Sequence, residues 1–143
     1  MGKQMTYNVL IVDDDRGIRD LLERLLEEEG YNVATARNGR EALDLLRSRA
    51  ELGPHVILLD LMMPLLNGYS FMSILAADHL LRDSHAIVVM SAAQRLSAGE
   101  FPLAAAQLPK PFALDEVLET ISQLTYQITR DHPPEQPSHP PVV

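Results

Sequence analysis

Nine residues, Val56-Ile57-Leu58-Leu59-Asp60-Leu61-Met62-Met63-Pro64, restrict what this chain can fold into more than any others. Four apolar residues run straight into an aspartate, and a proline closes the run. So short a run of Val, Ile and Leu predicts a strand buried on both faces, as in a parallel sheet. Asp60 then falls at the strand's C-terminal end, the edge of an open α/β sheet where ligands bind. A carboxylate on a buried strand costs free energy unless a cation or hydrogen-bond donors satisfy it. Asp60 therefore needs partners from elsewhere in the chain.

Three more apolar runs also end in polar groups. Asn8-Val9-Leu10-Ile11-Val12 runs into Asp13-Asp14-Asp15. Ala86-Ile87-Val88-Val89-Met90 ends at Ser91, and the weaker Ala106-Gln107-Leu108 ends at Pro109-Lys110-Pro111-Phe112. A short strand with Tyr31 and Val33 lies between Tyr31 and Ala36. Helical spacing fills the gaps. Ile18, Leu21, Leu22, Leu25 and Leu26 make an apolar stripe, with Asp15 as its N-cap and Gly30 just past its end. Asn38-Gly39 reads as a turn. Ala42, Leu43, Leu45 and Leu46 point a second helix inward, and Gly53-Pro54 ends it. A turn at Leu65-Leu66-Asn67-Gly68 leads into a third helix, from about Tyr69 to Leu80. Between Ala92 and Ala105, Gly99 and Pro102 leave room only for a short or broken fourth helix. Val117, Leu118, Ile121, Leu124 and Ile128 mark a last helix from about Leu114 to Thr129.

Strand and helix alternate five times. That predicts one doubly wound α/β domain over residues 1–130, a five-stranded parallel sheet in a three-layer α/β/α sandwich. Residues 131–143 carry five prolines, crowded into a stretch with too little apolar content to bury a core. They are expected to form an extended, disordered tail or linker.

Bulk properties exclude several functions. With 143 residues, 46% hydrophobic, the chain suits one domain with a real core. The net charge of −8 argues against bulk-charge binding to nucleic acid or anionic membranes. The absence of cysteine excludes disulfides and thiolate chemistry. No stretch approaches a membrane span, so a cytoplasmic location is expected. The five histidines show no ligand spacing and are expected to be structural or solvated.

Asp13, Asp14, Asp60, Ser91 and Lys110 all fall on the C-terminal edge of the one predicted sheet. Three carboxylates so close require either a raised pKa on one of them or a cation among them. Oxygen ligands without His or Cys favour a hard cation, Mg²⁺ first and Mn²⁺ as a fitting substitute. A cation beside a carboxylate, with a lysine and a hydroxyl at hand, is an arrangement for phosphoryl transfer. Asp60 would be the nucleophile, forming an acyl phosphate.

From about Thr6 to Thr129 the chain resembles the receiver domain of two-component response regulators. The matching fragments are Leu-Ile-Val-Asp13-Asp14-Asp15, Asp60-Leu-Met-Met-Pro64-Leu-Leu-Asn-Gly68, Val-Met-Ser91-Ala92 and Lys110-Pro111-Phe112, in order and at strand ends. The resemblance implies a flavodoxin-like strand order, 2-1-3-4-5. It implies that Asp60 accepts a phosphoryl group from a histidine kinase or phosphotransfer protein, and then switches binding to a downstream protein partner. Asp14, Asp60 and the main-chain carbonyl of Met62 would hold Mg²⁺, with Asp13 acting through water. Lys110 would contact the phosphoryl group; Ser91 would hydrogen-bond it and carry the switch. Such a domain is not an enzyme in the ordinary sense, since it catalyses only its own phosphorylation and dephosphorylation. Met62 and Ala93, at the family's variable flanking positions, cannot orient an attacking water, which implies a long-lived acyl phosphate.

Departures from the family pattern cluster in the fourth helix and fifth strand. Gln107 stands where an aromatic residue is usual, Leu103-Ala104 where Gly-Ala is usual, and Pro109 directly precedes the lysine. They imply a non-standard partner surface, and leave both monomer and dimer open. The alternative function is a receiver-like interaction module that works without phosphorylation. A Mg²⁺-dependent aspartyl phosphatase would place a second acid where Met62 stands. A nucleotide carrier would need a glycine-rich phosphate loop that the chain lacks. Nor does the chain show the further patterned sequence that a DNA-binding output domain requires.

Overall fold

A computed structural model describes residues 7–61, 68–78, 85–91 and 104–131. In chain order these form β1 (Asn8–Val12), α1 (Arg16–Glu28), β2 (Asn32–Ala36), α2 (Gly39–Ser48), a 3-10 turn (Ala50–Leu52), β3 (His55–Asp60), α3 (Gly68–Ala77), β4 (Ala86–Ser91), β5 (Ala104–Pro109) and α4 (Leu114–Asp131). The strands make one sheet in the order β2-β1-β3-β4-β5, with every neighbouring pair parallel. This is the flavodoxin-like order expected above.

Strand alternation sends side chains to two cores. On one face Leu10, Val12, Ile57, Leu59, Ile87 and Val89 pack with residues of α2 and α3. On the other, Val9, Ile11, Val56, Leu58, Val88 and Met90 pack with Leu22 and Leu26 of α1 and with Val117, Ile121 and Leu124 of α4. β1 and β3 are buried along their whole length because both faces are covered.

The ends of α1 form as their residue chemistry dictates. Asp15 accepts from the backbone N–H of Gly17 and of Ile18. At the other end Gly30 adopts φ 93°, its N–H donates to the Glu27 carbonyl, and the Tyr31 N–H donates to the Leu26 carbonyl. That pair of bonds is a Schellman motif, and glycine meets its left-handed requirement without Cβ strain.

Four local expectations are corrected. Asn38-Gly39 is a helix start: the Asn38 side chain accepts from the Glu41 N–H and caps α2. Leu21 is 49% exposed, because it lies at one edge of the α1 stripe. The 3-10 turn at Ala50–Leu52 was not anticipated. β5 begins at Ala104, ahead of the predicted Ala106, and its pairing with β4 shifts register between Ile87 and Val88. Alanine carries little strand signal, so the first half of β5 is set by its neighbour. Pro109 fits at its end because β5 is an edge strand. The motif segment from Met62 to Asn67, residues 92–103 of the span expected for a fourth helix, and residues 132–143 of the tail lie outside the described residues. Asp131, assigned to the tail, is the last residue of α4, and Ala105 belongs to β5.

Candidate functional site

The winding direction of the sheet reverses between β1 and β3, so the C-terminal ends of these two strands flank a topological switch point. Asp13 directly follows β1, and Asp60 ends β3. Alternation puts Asp13 in phase with Val9 and Ile11, Asp60 in phase with Val56 and Leu58, and Lys110 in phase with Leu108. All five apolar residues line the α1/α4 face. The pleat thus brings two acids and a lysine together from three strands.

Asp13 is fully buried. Its N–H donates to the Ala36 carbonyl at 3.1 Å, prolonging the β1–β2 pairing. Its Oδ1 accepts from the Asp15 N–H at 2.9 Å, and its Oδ2 accepts from Lys110 Nζ at 2.8 Å. Its carbonyl accepts from Arg19 Nη1, also at 2.8 Å. Lys110 Nζ lies 3.6 Å from Asp60 Oδ2, so one ammonium pairs with both buried acids. Burial is the largest influence on Lys110 and alone would lower its pKa. The hydrogen bond and charge of Asp13, with the charge of Asp60, outweigh it and leave the pKa raised. Lys110 is therefore an ammonium at neutral pH.

Asp14 is the exposed member of the set. Asp13, Asp14 and Asp60 each offer a carboxylate oxygen, and these oxygens all lie within 4.8 Å of one another. Three carboxylates against one ammonium leave two formal negative charges, all on hard oxygen donors. That donor set fits a divalent hard cation.

Four of the sequence-predicted site residues, Asp13, Asp14, Asp60 and Lys110, come together. Ser91 is the last residue of β4, paired with Pro109 of β5, so its backbone lies on the same sheet edge. Met62 and Ala93 lie outside the described residues. The patterning missed Arg19, whose guanidinium reaches back from α1 to the Asp13 carbonyl. A side chain that bonds a backbone carbonyl leaves no period in the sequence.

The opposite edge of the sheet holds a separate polar cluster. His85 Nδ1 accepts from the His55 N–H at 2.9 Å, and the two imidazoles meet edge to face. Burial, with the charge of His55, pushes the His85 pKa down to about 4; burial also lowers that of His55. These two histidines, expected to be structural or solvated, pack against each other.

Residues 9–122 match the family model of the response regulator receiver domain. The response regulator MprA of Mycolicibacterium vanbaalenii is 40% identical over 130 residues, covering 89% of this chain and 54% of that protein. MprA of Mycobacterium tuberculosis strain H37Ra is 39% identical over 84% of the chain and 51% of its own length. The chain thus spans about half the length of the curated relatives it matches. Among solved structures, the response regulator protein TrrA of Thermotoga maritima, in complex with Mg(2+)-BeF, has a TM-score of 0.70. It is 30% identical, over 83% of this chain and 99% of that one. A CheY-like receiver domain protein of Methanospirillum hungatei has a TM-score of 0.75 at 25% identity, covering 86% and 97%.

Proposed function

This chain belongs to the response regulator receiver domain family of two-component systems, and from that premise we propose that Asp60 is its phosphoacceptor. The observation that carries the reading is one ammonium, Lys110, pairing with buried Asp13 and buried Asp60 while Asp14 completes a triad of carboxylates. The donor is the phosphohistidine of a histidine kinase or phosphotransfer protein. An Asp60 carboxylate oxygen forms the new O–P bond as the N–P bond breaks, and the electron pair stays on the imidazole nitrogen. Lys110 stands where it can turn from Asp60 to a phosphoryl oxygen, offsetting charge as the transfer proceeds. To Ser91, at the end of β4, we assign the hydroxyl that hydrogen-bonds the phosphoryl group and carries the switch. Asp14, Asp60 and the main-chain carbonyl of Met62 would hold Mg²⁺ (or Mn²⁺), with Asp13 acting through water. A bound Mg²⁺ supplies charge neutralisation for the phosphoryl oxygens and the acids around them. The TrrA complex with Mg(2+)-BeF supports this choice of ion.

In this reading residues 1–130 are the receiver and 131–143 a tail or linker. The protein acts in the cytoplasm, catalyses only its own phosphorylation and dephosphorylation, and passes the signal to a protein partner rather than to nucleic acid. No described helix is long and apolar enough to cross a membrane. Gln107, exposed on β5 where the family usually has an aromatic residue, favours a second reading: an interaction module that works without phosphate. Borohydride reduction after treatment with acetyl phosphate and Mg²⁺ separates the two. Reduction of an acyl phosphate converts its aspartate to homoserine, and peptide mapping finds that change at Asp60 alone. Conversion at another aspartate overturns the assignment of Asp60, and none on folded protein favours the phosphate-independent module.

A further inference from the structure

The three acids of the site are not held equally. Asp13 is fixed by burial and by a partner on every polar atom. Asp60 is buried at the end of a central strand. Asp14 is exposed, and among the described residues its carboxylate accepts no hydrogen bond. Its position depends on its backbone, held on one side by the Asp15 N–H bond to Asp13 Oδ1 and on the other by the peptide unit it shares with Asp13. The carbonyl of that unit accepts from Arg19 Nη1 at 2.8 Å. Arg19 is half-buried in the first turns of α1, and among the described residues no carboxylate pairs with it. A half-buried guanidinium with no ion-pair partner, spent on one backbone carbonyl, requires a reason.

We propose that Arg19 is a positioning residue for the metal site: by fixing the Asp13–Asp14 peptide plane it holds the Asp14 carboxylate toward Asp13 and Asp60. This rests on the reading of the triad as a Mg²⁺ site. Arg19 also carries a positive charge beside that site. Its charge alone weakens cation binding, while its positioning strengthens it, so removing Arg19 tests the two with opposite signs. Residues that orient metal ligands typically contribute roughly 10- to 100-fold in affinity. Relief of one partly screened charge offsets only part of that.

The test is the Mg²⁺ dissociation constant, from calorimetric titration of the full chain, for wild type, Arg19→Met and Arg19→Lys. Urea unfolding in parallel separates affinity from folding. Arg19→Met is expected to weaken Mg²⁺ binding by about threefold or more, and Arg19→Lys to recover most of the loss through its remaining donor. Arg19→Leu likewise removes both the charge and the donor, and serves if the methionine variant fails to fold. Unchanged or tighter binding in the neutral variants overturns the positioning role. Wild-type protein that binds no Mg²⁺ overturns instead the reading on which it rests.

Discussion

Asp13 has no polar atom without a partner. Its N–H, its carbonyl and both carboxylate oxygens are engaged, and the residue is wholly inside. A buried carboxylate is tolerable only on such terms, and breaking one buried ion pair typically costs about 3–5 kcal/mol. Lys110 thus has a structural task besides the phosphoryl contact proposed for it, because it neutralises Asp13 and also pairs with Asp60. His85 shows the opposite logic at the far edge of the sheet. Its Nδ1 lone pair accepts the His55 N–H, and a protonated ring has no lone pair to offer. Its folded pKa of about 4 lies below the ordinary 6.5, so as pH falls the unfolded chain takes up the proton first. Stability from neutral His85 is complete above about 6.5 and is lost as pH falls toward about 4. Urea unfolding should show wild type losing about 2 kcal/mol more than His85→Gln between about pH 7.5 and pH 5. Parallel pH profiles for the two proteins would refute this account of the pair. The acids and Lys110 were legible in the sequence because each ends an apolar run. Arg19 and the histidine pair were not, since neither a bond to a backbone group nor a contact across strands leaves a period.

At the scale of elements, α1 joins the fold to the site. It opens on the Asp13-Asp14-Asp15 turn, where Asp15 serves the helix and not the acid cluster. The Asp15 side chain caps Gly17 and Ile18, while its backbone N–H donates to Asp13. Asp15→Ala removes only the side-chain part. It should lower stability by about 1 kcal/mol and leave Mg²⁺-dependent phosphorylation intact, measured by urea unfolding and by mass. Lost phosphorylation at retained stability would place Asp15 in the site instead. Long, strongly periodic elements were readable: α1 and the last helix fall close to their expected bounds. Weak elements were not. The start of β5 has three alanines and little preference of its own, so β4 decides where pairing begins. Asn38 shows another limit, because asparagine before glycine signals a turn and a helix cap equally well.

Across the whole molecule, one device places the chemistry. A parallel sheet buried on both faces ends all its strands at one edge, and the winding reverses between β1 and β3. Asp13, Asp60 and Lys110 come from strands far apart in sequence, yet the same strand parity carries them to one side. Apolar runs that each end in a polar group placed these residues on one sheet edge. The strand order that makes them neighbours was an expectation from the receiver resemblance, and their shared parity is seen only in the structure. The family match over residues 9–122 agrees with it. The central claim, that Asp60 takes the phosphoryl group with a divalent ion's help, is tested most directly by intact mass. Wild type and Asp60→Asn are incubated with acetyl phosphate, with and without Mg²⁺, and weighed. Wild type should gain one phosphoryl group, about 80 Da, only when Mg²⁺ is present, and Asp60→Asn should gain nothing. An equal gain in the variant, or a gain indifferent to Mg²⁺, would contradict the account.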